Sequence, residues 1–177
     1  MLFRSTLGMF NNKNVLVHTI SEVNKTTNTF ALTQGKKLTE LNASQIKVQL
    51  YIPQDWQDEN KRMAGFWGVV YNDEHVLTTY PIIEFTTSNN NPRFRVWNQD
   101  STGADWIDIG LPENFMYNEW YSLNMKIIDN EVEISVGNLT YNVPIMNGEG
   151  GPSYFGDIIL QGHNIVDGVN YDIYWDK

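Results

Sequence analysis

Indole and charged side chains alternate over residues 93–108, and together they could bind a polar ring compound. Arg93, Arg95 and Trp97 are two residues apart, so a strand would place all three on one face. Trp106 follows in the next stretch. An indole covers the apolar C–H face of a sugar ring, while charged and amide groups hydrogen-bond its hydroxyls. We therefore expect a carbohydrate-binding surface here.

Side chains of neighbouring strands are predicted to share that surface. Glu84 could orient a ligand together with Arg95, or form an exposed ion pair worth only a few tenths of a kcal/mol. Core packing is the alternative for the tryptophans; it is favoured for Trp120, whereas Trp56 is a further candidate platform. The predicted ligand-binding residues are Trp67, Tyr71, Glu84, Arg93, Arg95, Trp97, Asn98, Trp106 and His163.

Acidic residues offer weak candidates for calcium, and the histidines offer none for zinc. Asp100 and Asp105 flank a turn-like stretch, and Asp157 with Asp172 is a second pair, but the Asp-x-Asp-x-Asp-Gly loop signature is absent. The histidines lack the spacing of a zinc site. We expect no cofactor and leave calcium open.

Composition argues against several classes of function. The chain has 21 acidic and 12 basic residues, a net charge of −9, which disfavours nucleic acid and anionic membranes as partners. With no cysteine, a thiol nucleophile and a disulfide are excluded. Nucleophile-elbow, phosphate-loop and dinucleotide-binding motifs are absent. No apolar run reaches the roughly 18 residues of a membrane span, and no signal peptide is visible, so we expect a soluble chain.

Residue usage predicts an all-β protein. There are 23 aromatic residues (6 Trp, 9 Tyr and 8 Phe), many Ile, Val and Thr, and few Ala. Alternating runs are separated by Asn, Asp, Gly and Pro clusters, which is typical of sandwiches. The predicted strands are 15–20, 29–32, 45–52, 62–71, 80–86, 93–98, 105–108, 120–128, 131–136, 139–143, 155–161 and 170–175, with tight turns at Asp129-Asn130 and Gly137-Asn138.

We expect one domain over residues 1–177, with residues 1–40 supplying N-terminal strands that complete the sheets. Alternation predicts which side chains enter the core: Val48, Leu50, Ile52, Phe66, Val70, Ile83, Phe85, Phe94 and Val96. It places Tyr51, Trp67, Ile82 and Glu84 outside the core.

The order of these segments resembles the concanavalin A-like lectin and glucanase jelly rolls, which include laminin-G-like domains and many carbohydrate-binding modules. The similar segments are 47–53, 64–68, 80–85 with 93–97, the hairpin 118–136, and 155–160. The resemblance covers roughly residues 40–177. It implies a two-sheet antiparallel β-sandwich of the jelly-roll type, a fold that hosts unrelated activities.

The enzymes of this fold have residues that the sequence does not reproduce. Retaining glucanases carry alternating acids of the form Glu-x-Asp-x-x-Glu, with acid and nucleophile about 5 Å apart. Segment 81–86 has one acid, Glu84. Alginate lyases need an Arg/Glu strand, a Gln-x-His strand and a Tyr-rich strand. Arg93 and Arg95 faintly resemble the first, but Gln161-Gly-His163 lies late in the chain and no Tyr-x-Lys-x-Gly follows.

These observations predict a non-catalytic carbohydrate-binding module that recognises a cell-surface or cell-wall polysaccharide. The composition is typical of an AT-rich genome, and no secretion signal is visible, so we expect a virion component, such as a phage tail or baseplate accessory protein acting on the host surface. One alternative is a polysaccharide hydrolase or lyase of the same fold. Another is a structural virion or protein-interaction domain that binds no sugar.

Overall fold

A computed structural model describes residues 5–21, 34–59, 61–146, 152–163 and 170–177. Among these residues are two single-turn 3-10 helices, Gln54–Trp56 and Ser88–Asn90, and none of the described helices is long and apolar enough to cross a membrane. The strands are β1 Ser5–Phe10, β2 Lys13–Ile20, β3 Gln34–Leu38, β4 Gln45–Ile52, β5 Met63–Tyr71, β6 Leu77–Thr79, β7 Ile82–Thr86, β8 Arg93–Asp100, β9 Gly103–Gly110, β10 Glu119–Ile128, β11 Glu131–Val136, β12 Leu139–Pro144, β13 Tyr154–Gly162 and β14 Tyr171–Asp176.

These strands form two antiparallel sheets packed as a sandwich, which confirms the predicted fold class. The first sheet has the order β1-β2-β14-β4-β10-β11-β12. The second has the order β3-β13-β5-β7-β8-β9, and β6 pairs with β5. The sequence analysis missed β1, β3 and β6, and its strand at 29–32 lies outside the described residues. The extent of the domain stays a prediction.

Both predicted tight turns are present. Ile128 pairs with Glu131 across Asp129-Asn130, and Asp129 has a φ of 52°. Val136 pairs with Leu139 across Gly137-Asn138, where Gly137 has a φ of 57°. Asp and Gly tolerate positive φ, so these short loops hold β10, β11 and β12 in one meander.

The inward faces agree with the predicted alternation. All nine side chains predicted to enter the core belong to one hydrophobic cluster between the sheets. The outward faces differ in burial, because side chains of neighbouring strands cover them. Ile82 and Glu84 are on the face away from the core but are fully buried, and Tyr51 is covered by Phe10, Trp120 and Tyr174 on the outer face of the first sheet.

Trp56 is not an exposed platform. Its side chain is 1% exposed and packs in the core against Phe85 and Tyr171. The 3-10 turn that contains it turns the indole inward, where it contacts Phe85 of the second sheet and Tyr171 of the first.

His18 lies among apolar groups of the first sheet, near Trp175. Neither ring nitrogen has a hydrogen-bond partner among the described residues. Burial, reinforced by the charge of Lys36, lowers the pKa of His18 from 6.5 to about 4. The folded protein therefore holds this imidazole neutral where the unfolded chain already protonates it.

We predict that the free energy of unfolding falls as pH falls from 6.5 toward 4, because the unfolded chain takes up the proton first. His18 accounts for up to about 3 kcal/mol of this loss. Urea unfolding at pH 7.5 and pH 5 should show a smaller loss for His18→Leu than for the wild type. Equal losses in the two proteins would contradict the assignment.

Candidate functional site

Strand register in the second sheet aligns three tryptophans across its open face, the face turned away from the core. Trp67 pairs with Ile82, Ile82 with Trp97, and Trp97 with Trp106. On the other side of Trp67, Ile159 and Lys37 continue the line to the edge strand β3. We call this line, from Lys37 to Trp106, the tryptophan row. It crosses six strands, or about 24 Å at the usual strand spacing.

The indoles are half-buried and held by neighbouring rings. Trp97 and Trp106 meet edge to face, with ring centroids 5.4 Å apart. Trp67 stacks on Tyr80 at 6.3 Å. These contacts restrict the rings before any ligand binds, so binding freezes few rotamers.

A polar line runs beside the tryptophan row, one pleat along the strands. Gly65 pairs with Glu84, Glu84 with Arg95, and Arg95 with Asp108. The Arg95 guanidinium donates to Glu84 Oε1 through Nε at 2.7 Å and lies 2.6 Å from the same oxygen through Nη2. It also lies over the Trp106 ring, 4.1 Å from its centroid. Arg95 thus links the polar line to the tryptophan row.

Glu84 is an acid enclosed in the sheet face. Burial raises its pKa to about 7, although the positive charge of Arg95 and, more weakly, that of Arg93 oppose the shift. Both contacts with Arg95 go to Oε1, and Oε2 has no hydrogen-bond partner among the described residues. The site therefore holds a carboxyl group that can change protonation near neutral pH.

Gln161 and His163 approach the same place from β13 and the residue after it. Gly65 has no side chain, and a Cβ there would come within 3.0 Å of Gln161 Nε2, so the amide lies against the glycine. Neither amide atom of Gln161 nor Nε2 of His163 has a partner among the described residues. Burial, and then the charge of Arg95, lowers the pKa of His163 to about 4. Buried groups without partners are costly, which makes them candidates to bond a ligand.

The other predicted residues lie at the margins. Arg93 contacts Asp108 at 2.7 Å and donates to the carbonyls of Ser88 and Asn91, so it stabilises the rim of the face. Asn98 follows Trp97 and therefore points to the opposite face of β8. Tyr71 lies on the open face of β5, four residues beyond Trp67, or about 13 Å along the strand.

The candidate calcium ligands Asp100 and Asp105 accept hydrogen bonds from backbone amides. Asp100 Oδ1 accepts hydrogen bonds from the amides of Thr102 and Gly103, and the Thr102 contacts are the main reason that the pKa of Asp100 is lowered. Asp105 accepts from the amide of Trp106. The described residues contain no group of three His, Asp or Glu side chains that could hold a metal.

Sequence reasoning did not include Gln161, Tyr80 or Tyr154 among the ligand-binding residues. The Gln161-Gly-His163 spacing does put two polar side chains on one strand face, and that signal was available. Tyr80 and Tyr154 become relevant only once the strand pairing is known.

Comparisons with known proteins identify the fold. No protein-family model matches the sequence, and no curated protein matches it. The chain is similar to a family 7 alginate lyase A1-II′ solved with its substrate, with a TM-score of 0.55 and 8% identity, covering 93% of this chain and 76% of the lyase. It is also similar to a family 16 endo-glucanase from Bacteroides ovatus, with a TM-score of 0.52 and 11% identity, covering 98% of this chain and 84% of the glucanase.

A homodimeric agglutinin from chicken liver aligns with a TM-score of 0.47 and 15% identity over 81% of this chain and 100% of the agglutinin. The two enzyme structures, with their higher TM-scores, show that this protein has the concanavalin A-like jelly-roll fold. The resemblance seen in the sequence is confirmed at the level of the fold. Fold alone assigns no activity.

We predict that Arg95→Met lowers the free energy of unfolding by 3 to 5 kcal/mol at pH 8, a typical cost (~3–5) of leaving a buried charge unpaired. The loss should be smaller at pH 5, where Glu84 is protonated and neutral. Adding Glu84→Gln to Arg95→Met should restore much of the stability at pH 8. Urea unfolding measures all three effects.

Arg93→Met is the matched control, because the Asp108 side chain that it contacts is exposed, so the substitution leaves no buried charge unpaired. If both arginine variants lost the same stability at both pH values, the ion pair of Glu84 would have no special role.

Proposed function

We propose that this protein is a non-catalytic carbohydrate-binding module that binds a polysaccharide on the open face of its second sheet. The observation that carries the proposal is the alignment of Trp67, Trp97 and Trp106 beside the buried Glu84–Arg95 pair. Apolar ring faces next to fixed polar groups are what sugar rings need from a protein.

In this proposal the indoles stack against the C–H faces of successive sugar units. Arg95, held by Glu84 and by the Trp106 ring, donates to hydroxyl groups. Gln161 and His163 supply further buried polar atoms at the centre of the face. Since the surrounding rings already restrain these side chains, little conformational entropy is lost on binding.

The solved structures of the same fold support a carbohydrate ligand. The family 7 alginate lyase was solved in complex with its substrate, and a Bacteroides ovatus family 16 glycoside hydrolase acting on mixed-linkage glucan was solved in complex with a product. The net charge of −9 disfavours a polyanion as ligand. Arg93 and Arg95 lie on one face, however, and are compatible with a sugar that carries an occasional phosphate or uronate.

We place this binding at a host-cell surface, with the protein acting as part of a virion such as a phage tail or baseplate. Two arguments support this. The composition is typical of an AT-rich genome, and a lectin-like domain must reach the surface that carries its glycan, which a virion component does. Purified protein should bind host cells and their wall polysaccharide. A well-folded protein that binds neither would contradict the proposal.

Cleavage of the polysaccharide is a second candidate function at the same site. It is favoured by the pKa of Glu84, close to neutral, and by its neighbours: Arg95 contacts the carboxyl group, Gln161 packs against Gly65, the strand partner of Glu84, and His163 lies within range of the charge of Arg95. Against it, the other acid of the polar line, Asp108, is exposed and pairs with Arg93. A protein-interaction role without sugar binding is the third candidate.

We predict that Trp97→Ala and Trp106→Ala each weaken binding to cell-wall polysaccharide about fivefold to tenfold, the value of one aromatic contact. The measurement is isothermal titration calorimetry with polysaccharide fragments. Trp120→Ala removes a half-buried indole from the opposite sheet and should bind like the wild type. Equal affinity of Trp97→Ala and the wild type would contradict sugar binding by this face.

We predict that neither the wild type nor Glu84→Gln shortens the polysaccharide during prolonged incubation, as followed by size-exclusion chromatography. If Glu84 only orients Arg95, it does not act as a catalytic acid or base, and no glycosidic bond is cleaved. Shortening by the wild type but not by Glu84→Gln would establish the enzyme and overturn the non-catalytic assignment.

A further inference from the structure

A second aromatic groove opens on the same face, at the end of β5 and β13. It has a volume of about 700 Å³ and is lined in part by Glu40, Ala43, Ser44, Tyr71, His75 and Tyr154. Tyr71 pairs with Tyr154 across the two strands, so both rings point to the open face of the sheet. We call this cavity the tyrosine groove.

The polar groups of the tyrosine groove are fixed by contacts inside the protein. Tyr71 donates its hydroxyl to Asp157 Oδ2 at 3.0 Å, and Lys37 Nζ lies 2.9 Å from the same oxygen. His75 Nδ1 lies 2.5 Å from the Tyr154 hydroxyl. Asp157 itself is only 7% exposed. A buried carboxylate held by two groups beside two phenol rings is a prepared polar site.

The rings are also held in position. Tyr71 and Tyr154 stack with centroids 6.1 Å apart. Gly156, the extra residue of a bulge in β13, has no side chain, and a Cβ there would come within 2.6 Å of the Tyr71 ring. One side of the Tyr71 ring therefore packs closely against the backbone at Gly156, which holds the ring beside Tyr154.

The tyrosine groove lies to one side of the tryptophan row, along β5 from Trp67. The row continues on both sides of this residue, toward Lys37 on β3 and toward Trp106 on β9. Along β5, Val69 and its partner Asp157 lie between Trp67 and Tyr71, which is about 13 Å from Trp67. A polysaccharide main chain lying along the tryptophan row would cross β5 at Trp67. Only a branch of that polysaccharide would extend along β5 to the tyrosine groove.

We propose that the ligand is a branched polysaccharide: its main chain lies along the tryptophan row and a neutral sugar branch lies in the tyrosine groove. This inference rests on the proposed function. Asp157 and the two tyrosine hydroxyls bond the hydroxyls of the branch, and the Tyr71 and Tyr154 rings contact its apolar face. Because branch and main chain are covalently joined, the two sites act together and raise the affinity for the intact polymer.

The test combines a change in the protein with a change in the ligand. The probe is the cell-wall polysaccharide, before and after chemical removal of its side branches. Wild-type affinity should fall about fivefold to tenfold when the branches are removed. Tyr154→Ala should bind both forms equally, with the affinity that the wild type has for the debranched polymer.

Milder variants guard against a folding defect. Tyr154→Phe keeps the ring and should retain most of the affinity for the branched form. Ser44→Trp adds bulk at the exposed rim of the groove and should lower that affinity as Tyr154→Ala does. Tyr174→Ala, on the opposite sheet, is the matched control and should change neither affinity. Thermal unfolding checks that each variant is folded.

The outcomes separate this inference from the proposed function. If nothing binds, or if binding does not depend on Trp97, both fail. If binding depends on Trp97 but is equal for branched and debranched polymer and unaffected by Tyr154→Ala and Ser44→Trp, the branch assignment alone is wrong. A ligand that has no branches would overturn it in the same way.

Discussion

The antiparallel register of β5, β7, β8 and β9 is the constraint on which the candidate site depends. Because side chains alternate with a period of two, one fixed register puts Trp67, Trp97 and Trp106 in a line and Glu84 opposite Arg95. A slip of one residue between two of these strands would turn the indoles of one into the core. The burial of Phe66, Ile83 and Phe94 between the sheets opposes that slip, so core packing also fixes the candidate binding face.

The open face of the second sheet contains a fully buried charged residue, Glu84. Arg95 contacts its carboxylate. The guanidinium of Arg95 spans the carboxylate and the Trp106 ring, which a flexible ammonium would do less well. The environment of this acid therefore depends on Arg95, which the Trp106 ring helps to hold in place.

Much of the fold could be predicted from the sequence, because alternation and turn residues are local signals. The core faces of β4, β5, β7 and β8 and both hairpin turns follow from them. Burial on the outer faces could not be predicted, since it depends on which strands are neighbours: Glu84 and Ile82 are enclosed by partners distant in sequence. Strand β3, with Gly35, Lys36 and Lys37, lacks an alternating apolar pattern and is a strand only because β13 offers it a partner. Trp56 enters the core through a 3-10 turn that has no strand pattern at all.

The tryptophan row ends at strands that form the two edges of the second sheet, β3 and β9. In the described residues neither end of the row is closed by another strand of that sheet. Under the proposed function, a long polymer would lie across the face with both of its ends protruding. Such an open-ended path would accept an internal stretch of a chain, so the number of docking positions would grow with the length of the polymer rather than with the number of chain ends.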